Sequence, residues 1–367
     1  MSRPAWPPAQ PHELPPVRVP PMRRRGRARW WLIAAAALAV VVMITGLAVV
    51  IRLLSAQAPS VPATWTAPTA LPHGPALPVD RLAFDSDRSG GFELYTMGHD
   101  GREVTRLTGD PAYDSWSPRL SPDRRTILFN RTPRGVHDTD AAQASLWAVG
   151  TDGSGLVQLR PVGLDGWVLQ GHAEWSPDGS SLVMFGGSRL SPQIHVTDRL
   201  GQRPVAVTDR PGTNLDPAFH PDGKSIVFVG CPRAVCTEPD YEIYQVAVGG
   251  GAATRLTEDG WRDHDPMWSP DGRRLAWLTQ LTLGLPGVWD IRWLGSAELA
   301  ARGTPRRLVG DEGVTSRPEF TVDGTAVFTH RIPPGGSRFQ IFRIPLGGGP
   351  AVDITAGQPG TNEYPSP

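Results

Sequence analysis

The chain has 367 residues, enough for one large domain with appendages, and its 36 basic and 36 acidic residues cancel. Zero net charge removes the bulk electrostatic argument for a nucleic-acid partner. Gly and Pro make up roughly a fifth of the residues, the punctuation of an all-β repeat or of disordered segments.

Residues 1–29 are rich in Pro and Arg without apolar periodicity and read as a disordered tail. Trp30 to Ile51 follows without a charge, long enough as a helix to cross a bilayer. Arg23, Arg24, Arg25, Arg27 and Arg29 crowd its N-terminal side, whereas Arg52 stands alone beyond it. The asymmetry predicts an uncleaved signal-anchor helix with the N-terminus cytoplasmic and the rest outside. Ala56-Gln57-Ala58 offers the alternative of signal cleavage, which exports the remainder just the same. Residues 52–75, rich in Pro, Ala and Thr, read as an extended stalk.

From there one phrase recurs: Trp175-Ser-Pro-Asp-Gly179, Phe219-His-Pro-Asp-Gly223, Trp268-Ser-Pro-Asp-Gly272 and Phe320-Thr-Val-Asp-Gly324, with Leu120-Ser-Pro-Asp-Arg124 as a degraded copy. Its Asp repeats at intervals of 44 to 55 residues, at Asp123, Asp178, Asp222, Asp271 and Asp323. Pro, Asp and Gly suit successive positions of a bulged hairpin turn. Each turn precedes an apolar run such as Thr126-Ile-Leu-Phe129 or Ser225-Ile-Val-Phe228. Two further runs follow, the last typified by Arg106-Leu-Thr108 and Arg255-Leu-Thr257. Four short strands per repeat at this period predict an all-β chain, a six-bladed β-propeller over residues 76–367. The phase of Pro75 at one end and Tyr364-Pro-Ser-Pro367 at the other predicts ring closure between first and last blades.

The aromatic-Ser-Pro-Asp-Gly phrase, the apolar strand and the Arg-Leu-Thr run resemble the TolB-type propeller repeat, a WD repeat-like pattern, over about four-fifths of the chain. The resemblance extends to the propeller and not to TolB's N-terminal domain. It implies a protein-binding role in the cell envelope, and the same repeats also occur in prolyl-oligopeptidase-like and oligogalacturonate-lyase-like enzymes. No Gly-x-Ser-x-Gly elbow occurs in the sequence, which argues against the serine hydrolase branch.

Asp85-Ser-Asp87-Arg-Ser89-Gly90 superficially resembles a Ca²⁺ loop but lacks the twelfth-position acid and reads as a hairpin. Cys231 and Cys236 are the only cysteines, and outside the cytoplasm they are expected to pair. The loops entering the innermost strands carry Asp114, His172, Asn214, Asp216, Asp263, His264, Asp265, Arg317, Asn362 and Glu363. They are predicted to gather at the mouth of the central channel, as a binding surface for a basic partner or a divalent cation such as Ca²⁺. Asp and Asn also stabilise turns there, so a purely structural role competes.

The expectation is therefore a non-enzymatic scaffold, a single-pass monomer of the cell membrane. It would bind an exported or membrane envelope protein, or a surface polymer, without a dedicated cofactor. The competing reading is a lyase or hydrolase acting on a polysaccharide or lactone through a metal at the channel mouth. Another is a regulator whose Arg-rich tail meets an intracellular partner.

Overall fold

A computed structural model describes residues 59–367, apart from 232, 234, 235, 238, 239, 283–287, 311 and 312. The expected tail (1–29) and transmembrane segment (30–51) lie outside the described residues. Among the described residues, no helix is long and apolar enough to cross a membrane.

The strands form antiparallel sheets of the repeat's own size. One contains Asn362–Ser366, Arg81–Ser86, Glu93–Gly98 and Thr105–Arg106, so the C-terminal strand completes the sheet begun by the first repeat. The next runs Tyr113–Leu120, Thr126–Pro133, Ser145–Gly150 and Val157–Arg160. A third comprises Leu169–Trp175, Ser181–Gly187, Pro192–Asp198 and Val205–Ala206. A fourth comprises Asn214–Phe219, Ser225–Gly230, Glu242–Ala247 and Thr254–Arg255.

The remaining strands depart from the expectation of six separate blades. Arg262–Trp268, Arg274–Gln280, Trp289–Gly295 and Arg306–Arg307 belong to one nine-stranded sheet with Val314–Thr315, Glu319–Phe320, Ala326–Ile332, Gln340–Pro345 and Val352–Asp353. A single parallel bridge, Trp289 to Val314, joins the two halves. The innermost strand of the second half is split in two around Arg317-Pro318, although four other innermost strands run on through a Pro at the same position. A short helix, Ser296–Ala300, follows the third strand of the first half, and Glu298 accepts from the Gly295 N–H at 2.9 Å.

The Ser-Pro-Asp-Gly turn is a hydrogen-bonded device. Asp178 accepts from the Ser176 hydroxyl at 2.6 Å and the Ser180 N–H at 3.0 Å, and Asp271 and Asp323 repeat the arrangement. The apolar runs fill the space between sheets. Val183, Phe185 and Ile194 of the third sheet meet Phe219, Ile226, Phe228 and Tyr244 of the fourth. Trp277, fully buried, sits in the next cluster with Trp268 and Leu275.

The end of the expected stalk is not a free spacer. The Trp65 indole N–H donates to the Gln158 carbonyl at 3.3 Å, and Thr126 Oγ donates to the Pro72 carbonyl at 2.6 Å. The Gly74 and Leu77 N–H groups donate to the Arg125 and Arg124 carbonyls, and Leu71 is buried against Leu128 and Trp175. Extended Pro-rich chain leaves its carbonyls unpaired, and the second sheet supplies their partners.

Candidate functional site at the propeller axis

Five innermost strands carry the same irregularity. The ladder register shifts between Trp116 and Arg119, Gly171 and Glu174, Leu215 and Ala218, His264 and Met267, and Ala83 and Asp85 opposite the C-terminal strand. Inside these bulges Ser117, His172, Asp216, Asp265 and Tyr364 hold φ values between 46° and 53°. Left-handed backbone at non-glycine residues is costly and marks places where a fold re-aims a side chain. Four of the five precede Pro, and Arg317 takes the corresponding place before Pro318.

The re-aimed groups meet one another across sheets. Asp216 lies between two imidazoles: His172 Nδ1 is 2.6 Å from Oδ1, and His264 Nδ1 is 2.9 Å from Oδ2. Arg262 Nε donates to His264 Nε2 at 3.0 Å, which leaves Nδ1 as the protonated nitrogen of a neutral ring and makes it the donor to Asp216. Burial opposes ionisation of Asp216, but the charge and hydrogen bond of His172 and the contact with His264 hold its carboxyl well below the usual range. For Asp265 burial dominates, reinforced by Asp216, and its carboxyl is pushed up.

Further toward the turns lies a closed set of ion pairs. Glu174 Oε1 accepts from both Arg119 and Arg317. Glu319 Oε1 lies 2.7 Å from Arg317 Nε and 3.6 Å from Arg119 Nη2, and Arg317 Nη1 is 3.8 Å from Asp265. Both guanidiniums are almost wholly buried, at 4% and 3% exposure. Residues of the second, third and fifth sheets can touch in this way only where innermost strands converge on the axis.

A second group occupies the side nearest the closing strand. His137, on the insertion 134–144, lies 3.4 Å from Asp85 and 3.4 Å from Asp138, and its ring stacks on Phe92 at 3.7 Å. Burial opposes its charge, but hydrogen bonds to Asp138 and Asp85 and the charge of Asp85 prevail and raise the imidazole to about 10. The Tyr364 hydroxyl donates to Asp138, and the Tyr364 N–H donates to His330 Nδ1 at 3.1 Å. Burial holds His330 down at about 3 and lifts Glu363 to about 8.

The structure thus brings His172, Asp216, His264, Asp265 and Arg317 together, and sets Glu363 beside Asp85, His137 and His330. It places the other candidates elsewhere. Asp114 is buried, accepting from Arg134 Nη1 at 2.7 Å and from the Phe92 and Gly135 N–H groups, and anchors the insertion. Asn214 donates to the Pro192 carbonyl at 3.1 Å, and Asn362 to Gln340 Oε1 at 2.9 Å, both tying one sheet to its neighbour. Asp263 occupies that clip position too. Its N–H donates to the Tyr241 carbonyl at 3.0 Å, as Asn362 donates to Phe339. Two residues of register separate the clip position from the left-handed one, so neighbouring acids in one loop have opposite fates.

Arg119, Glu174, Glu319, Asp85, His137, Asp138 and His330 were not apparent from the loops. Arg119, Glu174 and Glu319 stand two residues beyond the left-handed position, inside the strand that the pattern reads as core. Asp85 lies in the segment read as a hairpin, which it is, but its carboxylate turns inward and accepts from the Ser117 N–H at 3.0 Å. Among the described residues, three sets offer oxygen or imidazole donors within 4.8 Å of one another: His172, Asp216 and Asp265; Asp85, His137 and Glu363; and Glu242, Asp259 and Asp263. Cys231 and Cys236 are joined in a disulfide.

Residues 168–282, under half of the chain, match the family described as TolB beta propeller domain. An uncharacterized protein of Agrobacterium fabrum is 33% identical over 130 residues, covering 33% of this chain and 40% of that protein. The chain thus spans about two fifths of this curated relative. The structure of a putative TolB from Agrobacterium tumefaciens superimposes with a TM-score of 0.55 at 17% identity, covering 75% of this chain and 87% of that one. An oligogalacturonate lyase in complex with manganese gives 0.51 at 15% identity, covering 75% and 73%. At these identities the likeness to solved structures is one of fold. Residues 168–282 thus carry the TolB-type propeller repeat, and the fold of the described residues is similar to that of TolB propellers.

Proposed function

We propose that the protein is a non-catalytic binding module of the cell envelope, held at the membrane by the 30–51 segment with its propeller outside the cytoplasm. An exported or membrane protein would dock on the face where the innermost strands begin, reading the acidic and imidazole groups at the channel mouth. The observation that carries this reading is the ion-pair set of Arg119, Glu174, Arg317 and Glu319 across the axis. Charged groups paired with one another along the axis hold a fixed pattern of potential beneath the channel mouth, which favours recognition and encounter over turnover. A lyase-like reading calls for ligands left open to substrate, whereas Asp216 is engaged by two histidines and Arg317 by two glutamates.

Cross-linking the tagged full-length protein in its native membrane, with mass spectrometry of what co-purifies, tests the proposal. One dominant exported partner, lost in Asp216→Asn/Asp265→Asn at unchanged melting temperature, is the expected result. Recovery of bulk membrane protein alone, or depolymerisation of a polysaccharide by the purified protein, overturns it.

A further inference from the structure

Two junctions of the ring use the same residues with one exchange between them. Between the first and second sheets, Glu93 accepts from the Thr108 hydroxyl at 2.6 Å and from Arg106 Nη2 at 3.2 Å. Arg131 fills the space beside them, with Nε donating to Ser115 Oγ at 3.2 Å and Nη1 3.4 Å from Asp110. Arg134 adds a second guanidinium 3.1 Å from Glu93.

At the fourth sheet and its successor the parts recur. Glu242 accepts from the Thr257 hydroxyl at 2.6 Å and pairs with Arg255, and Asp259 follows Arg255-Leu-Thr257 just as Asp110 follows Arg106-Leu-Thr108. The counterparts of Ser115 and Arg131 are fixed by register. Ser115 pairs with Arg131 and Asp263 pairs with Thr279 across the ladder. The Ser115 and Asp263 N–H groups donate equivalently, to the Phe92 and Tyr241 carbonyls at 2.9 and 3.0 Å. A hydroxyl has become a carboxylate, and a guanidinium has become a hydroxyl.

The exchange leaves this junction short of positive charge. Arg255 engages Glu242 and Arg292 engages Asp259, while Asp263 Oδ1 accepts from the Thr279 hydroxyl at 2.7 Å. Asp263 is fully buried, and among the described residues no donor reaches its Oδ2. The single Thr257 hydroxyl proton already serves Glu242. The sequence after the strand, Leu281-Thr-Leu-Gly-Leu-Pro-Gly287, contains no basic residue to replace Arg134. A buried carboxylate oxygen without a donor demands a partner.

We propose that Glu242, Asp259 and Asp263 bind a hard divalent cation, of the Ca²⁺ class, where the first junction places the Arg131 guanidinium. Their ligand oxygens lie within 4.8 Å of one another, and an all-oxygen carboxylate set suits such an ion. Asp259 lines a surface cavity of about 430 Å³ with Thr257, Trp261 and Arg292, which gives the ion a path from solvent. The site lies away from the channel mouth and does not rest on the docking role.

Calorimetric titration of Ca²⁺ into the full-length protein, stripped beforehand with chelator, tests the assignment alongside thermal melts. One Ca²⁺ per chain and a raised melting temperature are expected. Asp263→Asn should weaken binding by about tenfold or more, and Asp216→Asn at the axis should leave it unchanged. The double change Asp263→Ser/Thr279→Arg transplants the first junction's solution and should fold with no Ca²⁺ response. Absence of binding at millimolar Ca²⁺, binding that survives Asp263→Asn or the double change, or binding lost with Asp216→Asn overturns the proposal.

Discussion

Arg317 donates to Glu174 across the axis of the propeller, although 143 residues separate them in the chain. The same carboxylate oxygen takes Arg119, so one glutamate compensates two guanidiniums that are almost entirely buried. The pair therefore ties the third sheet to the second half of the nine-stranded sheet. Fixing distant strands at a low-dielectric axis gives Glu174 a weight that no exposed acid has.

Glu174→Gln leaves Arg119 with Glu319, and Arg317 with Glu319 and the more distant Asp265. Removing one partner of a buried ion pair typically costs about 3–5 kcal/mol. Urea denaturation of the variant should show a loss of that order, whereas Glu103→Gln should change stability by well under about 1 kcal/mol. Glu103 pairs with Arg81 at 2.6 Å but is 81% exposed, and solvent screens it.

Stability should fall on the alkaline side of neutrality. His137 is raised to about 10, so its contribution is complete below the ordinary imidazole value near 6.5 and disappears as pH rises through 10. Glu363, raised to about 8 chiefly by burial, acts in the same direction between about 4.5 and 8, where the folded state must give up a proton it favours. Denaturation at pH 6, 8 and 9.5 should give steadily lower midpoints. His137→Gln should flatten the upper half of that trend, and an unchanged pH profile in this variant would refute the assignment.

The repeat was legible because its turns are local chemistry: Ser, Pro, Asp and Gly each act within a few residues, and the period follows. The axis was only half legible. His172, Asp216, Asp265 and Arg317 are visible as the residues before Ala or Pro at one phase of the repeat. Whether Asp263 or Asp265 faces the axis depends on a bulge that shifts register, and nothing in the residue types of Asp263-His264-Asp265 signals it. His137 reaches the axis from an irregular loop whose path the period of the repeat does not encode. The bridge between Trp289 and Val314 likewise depends on where a loop returns in space, which periodicity does not encode.

The left-handed bulge predicts an ordered pair of effects at Ser117, where φ is 53° and the residue is buried. A β-branched side chain is poorly tolerated in that region, so Ser117→Val should cost about 1–2 kcal/mol. Ser117→Gly, which accepts the conformation without strain, should stay within about 1 kcal/mol of the parent. Equal losses in chemical denaturation would show that the side chain, not the backbone, matters there.

Residues 59–77 should behave as part of the propeller. Leu71 is 8% exposed against Leu128 and Trp175, and full burial of a leucine contributes about 1.5–3 kcal/mol. The segment also supplies the Pro72 carbonyl to Thr126 and the Pro75 carbonyl to Thr151. A fragment beginning at Pro78 loses all of these, and should unfold at lower urea than one beginning at Pro59. Leu71→Ala in the longer fragment should recover a large part of the difference, since it removes the apolar contact and leaves the carbonyls in place. Identical midpoints for the two fragments would mean that the segment lies on the second sheet without stabilising it.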